Sequence, residues 1–103
     1  MTLLVRIFLG EDEYIEGEPA FRFVVNFLRE EGVNGATVLK AILGYGTTGE
    51  YHFEGIESLS YNLPVVIEFV ESEDKVMDVL KKLGRYLTKG MVSMERVQLW
   101  RYS

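Results

Sequence analysis

The spacing of apolar residues in this chain switches between the strand period and the helix period in a fixed order, and that order limits the folds open to it. From Leu3 to Leu9, Leu3, Val5, Ile7 and Leu9 alternate with Leu4, Arg6 and Phe8. Both faces of this stretch are largely apolar, which places it as a central strand of a sheet. Glu11, Asp12, Glu13 and Gly17 follow as a turn, and Pro19 suits the first turn of a helix, where a missing N–H costs nothing. Phe21, Val24, Val25 and Leu28 then fall on one helical face, and Gly32 supplies a left-handed stop. Gly35 to Leu43, rich in β-branched and aliphatic residues, predicts a second strand. Pro64 to Val70 predicts a third, with the proline at its opening where no ladder donor is lost. Ser72 is placed to cap a second helix, with Glu73 and Asp74 in its first turn and an apolar stripe of Val76, Leu80, Leu83 and Leu87 that Gly84 weakens locally. Lys89 and Gly90 break that pattern. Val97, Leu99 and Arg101, alternating with Gln98, Trp100 and Tyr102, predict a fourth strand.

The order βαββαβ has one simple solution: a single α+β domain of ferredoxin-like type over residues 1–103, a four-stranded antiparallel sheet with both helices on one face. The helices cover only that face. Leu4, Phe8 and Trp100 cannot all lie beneath them, so the second face is expected to be covered by further copies of the chain.

Composition removes several functional classes. A hydrophobic share of 48% with six Phe and six Tyr is too rich for a disordered chain. The absence of cysteine excludes disulfides and thiolate metal sites. A net charge of -5 and a pI near 4.9 oppose duplex nucleic-acid binding, which requires clustered lysine and arginine. The opening apolar stretch carries Arg6 and lacks a basic leader, so it does not read as a signal peptide. No segment reaches the roughly 18 apolar residues of a membrane span. The expectation is a cytoplasmic protein without membrane insertion.

The stretch GATVLKAILGYG, Gly35 to Gly46, resembles the second strand and following loop of PII signalling proteins, whose pattern there is a small residue, Thr-Val, a strand and a Gly-aromatic-Gly turn. The opening strand ending in Gly10, the run from Leu63 to Glu68 and the closing Arg101-Tyr102 extend the likeness, and nearly the whole chain looks like the PII-like family rather than nitrogen-regulatory PII itself. That resemblance implies a homotrimer with its sheets facing a threefold axis and an adenine nucleotide (AMP, ADP or ATP) held in clefts between subunits. It implies nucleotide-binding positions at Gly44, Tyr45 and Gly46, at the base of an effector loop, and at Lys89 and Gly90, a turn before the last strand that contacts phosphates. The loop after Gly46 has a sequence of its own, so neither a PII-type partner nor the nitrogen-regulatory role is carried over.

The residues themselves support parts of this. Gly44 and Gly46 permit positive φ and close approach of backbone N–H groups to an anion, although the same pair also serves as a plain strand-ending turn. Thr37 and Arg101, on predicted strands, offer a hydroxyl and a guanidinium to a base edge or phosphate. The plainer readings are steric preference for threonine in strands and a surface ion pair for Arg101. The stretch from Gly44 to Leu63 exceeds the ~12–15 residues at which structureless loops become uncommon, so it is expected to be flexible and functional, with 46–61 the place for a protein partner. His52 is the sole histidine, and Glu50, Glu54 and Glu57 near it lack metal-ligand spacing. No nucleophile and base, P-loop or zinc motif is present, so no catalytic residue, metal or required cofactor is expected. The sequence therefore points to a nucleotide-sensing regulatory protein that is not an enzyme. A trimeric metal-handling protein or small enzyme would instead bring His52 and loop carboxylates onto one ion, and a purely structural interaction module would show a closed, empty cleft.

Overall fold

The computed structural model describes residues 1–43 and 63–102. In chain order the elements are β1 (Thr2–Gly10), β2 (Tyr14–Ile15), β3 (Glu18–Pro19), α1 (Ala20–Glu30), β4 (Thr37–Lys40), β5 (Pro64–Ser72), α2 (Glu73–Leu83) and β6 (Met91–Arg96). β1, β4, β5 and β6 form one antiparallel sheet in the order β4-β5-β1-β6, so β1 is central as its two apolar faces require. α1 and α2 pack on one face over Leu3, Val5, Ile7 and Leu9 of β1 and Val65, Ile67 and Phe69 of β5.

Local chemistry sets the boundaries. Gly32 takes φ +87, the left-handed stop that ends α1. The Ser72 side chain accepts a hydrogen bond from the Lys75 N–H and caps α2, whose first turn carries Glu73 and Asp74. The sheet-facing stripes are Ala20, Val24 and Leu28 on α1 and Val76, Val79 and Leu83 on α2. Leu80, expected in that stripe, is only partly buried. Leu87 reaches the core from beyond the helix, because α2 ends at Gly84 and the Leu87 N–H returns to the Leu83 carbonyl at 3.0 Å.

Three features depart from expectation. Pro19 closes a small β2–β3 hairpin and sits one residue before α1, with Glu16 at φ +49 and Gly17 at φ +85 making its two-residue turn. β4 is shorter than Gly35 to Leu43: its partner β5 opens at Pro64, and the last bond of the pair runs from the Ala41 N–H to the Pro64 carbonyl. The fourth strand is Met91–Arg96, not Val97 to Tyr102. β1 pairs with residues 91–96, and the Val97 N–H reaches the Thr2 carbonyl, after which β1 offers no further partner. Val97 through Tyr102 leave the sheet, and Arg101 is therefore not on a strand.

Candidate functional site

The connections at one end of the sheet gather several polar groups. β1 ends there at Gly10, β5 begins there at Pro64, and Gly90 delivers the chain into β6 beside Phe8. The Glu11 N–H donates to the Leu63 carbonyl at 3.0 Å, and the Lys40 ammonium meets the Glu11 carboxylate at 2.6 Å. The Gly10 N–H donates to the Glu13 carboxylate, which folds the acidic turn back onto the strand end.

Gly90 is the fixed point of this end. Its φ is +109, and a Cβ at that position would lie 2.9 Å from the Phe8 carbonyl oxygen and 3.3 Å from Leu9 Cδ2. Only glycine allows this crossing of the sheet end, and the crossing determines where Thr88 and Lys89 stand. Thr88 and Lys89 line two adjoining cavities, of about 270 Å3 toward Asp12, Glu13 and Tyr14 and about 200 Å3 toward Leu80, Gly84 and Val92. The arrangement sets an ammonium and a hydroxyl at a cleft mouth opposite carboxylates, and Asp12, Glu13 and Lys89 are each engaged by a partner. An anion bound to Lys89 would have to compete with those acidic groups.

The remaining predicted positions lie elsewhere. Thr37 is exposed on the edge strand β4, opposite Glu68 on the sheet face away from the helices. Arg101 is exposed beyond the opposite end of the sheet, past the Val97 to Thr2 bond, so one subunit does not bring Arg101 to Lys89 and Gly90. Gly44, Tyr45 and Gly46 lie outside the described residues, as do His52, Glu50, Glu54, Glu57 and the whole of 46–61. Among the described residues no three His, Asp or Glu side chains are placed to hold a metal ion.

The helix-free sheet face holds a second polar feature that sequence reasoning missed. Arg6 Nε donates to Glu68 at 2.8 Å and its Nη1 to Glu95 at 2.7 Å. Glu68 first and then Glu95 hold the guanidinium charge above its already high range. The alternation in β1 already placed Arg6 on the face of Leu4 and Phe8; what it lacked was the register that sets Glu68 opposite Arg6 and Glu95 opposite Leu4. Thr37 and Ser93 flank this ionic group in its own row, and the next row on that face toward Gly10 is apolar, with Leu39, Val66, Phe8 and Met91 across all four strands.

Two helices on one face of this four-stranded antiparallel sheet define a ferredoxin-like α+β fold. The structure of a nitrogen regulatory PII-like protein, CPII from Thiomonas intermedia K12, bound to ADP, AMP and acetate, superposes with a TM-score of 0.66 over 97% of this chain and 89% of that one, at 19% identity. Its apo form gives 0.63 over 98% and 94%, also at 19% identity. In sequence, a UPF0166 protein of Aquifex aeolicus is 37% identical over 97 residues, 93% of this chain and 90% of that protein. Residues 2–99 match the DUF190 family, described as an uncharacterized ACR, and the chain belongs to that family. No helix among the described residues is long and apolar enough to cross a membrane.

Proposed function

We propose that this protein is a nucleotide-sensing regulatory subunit, not an enzyme, that acts as a cytoplasmic homotrimer. An adenine nucleotide binds in the clefts between subunits, and its occupancy is passed to a partner protein through residues 46–61. Thr88 and Lys89, positioned by Gly90, meet the phosphates together with the backbone of Gly44, Tyr45 and Gly46, while Thr37 and a neighbouring subunit's Arg101 complete the pocket. The observation that carries this reading is the glycine-dependent turn at Gly90, which sets Lys89 at the mouth of a cleft in a fold shared with proteins bound to ADP and AMP. Supporting it, Arg101 follows the Val97 to Thr2 bond at the end of β6 remote from its own Lys89, and the apolar row on the open sheet face offers a surface for other copies. Association lets one subunit's Arg101 serve another's cleft.

Calorimetric titration of the intact protein with AMP, ADP and ATP tests the proposal. Saturable binding is expected, weakened about tenfold to a hundredfold by Lys89→Ala through loss of a charge-assisted hydrogen bond of roughly 1.5–3 kcal/mol. A flat response to all three nucleotides would overturn it.

A further inference from the structure

Beside α1, three aromatic rings meet where the chain leaves α2. Phe23 and Phe27, one helical turn apart, have centroids 6.4 Å apart, and Tyr86 closes the group at 5.1 Å from Phe23 and 5.9 Å from Phe27. They line a cavity of about 420 Å3, within the size range of small-molecule sites. All three rings keep part of their surface open to solvent. The rest of the lining is polar in one sense only: Glu16 and Glu18 from the β2–β3 hairpin, Glu30 and Glu31 from the end of α1, and Asn26, with no lysine or arginine among the described residues that line it.

One lining carboxylate, Glu31, already holds a cation. Lys82 reaches Glu31 at 2.9 Å and Asp78 at 3.3 Å, and these two hold its ammonium above the ordinary lysine range, Glu31 contributing most. Glu16, Glu18 and Glu30 make no ion pair among the described residues. Aromatic faces attract ammonium groups through the ring quadrupole and accept methylene chains by apolar contact. A small metal cation such as Mg2+ keeps its hydration shell and gains little from the rings, and a monocation would leave most of the rim charge unmatched.

We infer that this aromatic cavity, rimmed by unpaired glutamates, is a binding site for a small aliphatic polyamine. The methylenes lie along Phe23, Phe27 and Tyr86 while the ammonium groups reach Glu16, Glu18 and Glu30. The site shares one lining residue, Tyr86, with one of the two cavities at Lys89 and none with the other. Its glutamates and both phenylalanines are therefore separate from the Lys89 cavities.

Calorimetric titration of the full chain, free of nucleotide because polyamines bind phosphates, compares spermidine, 1,4-diaminobutane and magnesium chloride. Spermidine is expected to bind more tightly than the diamine and to remain bound in excess magnesium. The double variant Glu16→Gln, Glu30→Gln changes only exposed side chains and should weaken spermidine by about tenfold or more, and Tyr86→Leu by about fivefold. Absent binding, equal affinity in the glutamine variant, or displacement by magnesium at matched charge would overturn the inference. A lysine- and arginine-rich peptide that outcompetes spermidine would also overturn it, in favour of a basic protein segment.

Discussion

At Gly90 a single hydrogen atom in place of a side chain holds β6 against β1. Gly90→Ala forces a residue with a Cβ into φ +109 and toward the Phe8 carbonyl, so it is expected to destabilise the fold by about 1–3 kcal/mol, read as a lowered denaturation midpoint at unchanged slope. A midpoint equal to the parent's would show that the turn relaxes freely. Arg6 makes a different demand. It sits between Glu68 and Glu95 on a face that the proposal covers with other subunits, so Arg6→Ala leaves two carboxylates facing the interface without their cation. The expected outcome is dissociation at micromolar concentration with the subunit still folded, followed by light scattering and circular dichroism. An undiminished assembly would place Arg6 outside the interface.

Among the elements, α2 has the best-defined start. Ser72→Ala removes the oxygen that accepts the Lys75 N–H and should cost about 1 kcal/mol in urea unfolding. That cap, the left-handed Gly32 and the central position of β1 were all legible in the sequence, because each depends on one residue type or on the alternation of a single strand. What escaped depended on pairing. The Val97 to Tyr102 alternation has a strand's period, but β1 spends its partners on Met91–Arg96, and no local pattern reveals that. The β2–β3 hairpin escaped because Glu16 occupies a left-handed turn position that glutamate seldom takes. For the site, Gly90 was legible as a glycine after a lysine, but its contact with Phe8 was not, since that contact joins segments far apart in the chain. The aromatic group escaped for the same reason: Phe23 and Phe27 lie one turn apart on α1, but Tyr86 joins them only once α2 is packed.

In the whole molecule, the subunits of the proposed trimer meet through the helix-free sheet face. Leu39 and Met91 are 48% and 54% exposed there, at opposite edges of the apolar row, and Leu39→Asp with Met91→Asp should reduce a trimer to monomers without loss of secondary structure. Each proposed nucleotide site is composite, because Lys89 of one chain precedes β6 at one end of its sheet and Arg101 follows β6 at the other. The direct measurement is ADP titration of Lys89→Ala and Arg101→Ala subunits, each alone and after dissociation and reassembly as a mixture. Each variant alone should bind weakly, while the mixture should regain a population of tight sites wherever an intact Lys89 meets a neighbour's intact Arg101. A mixture that binds no better than its components would contradict the account.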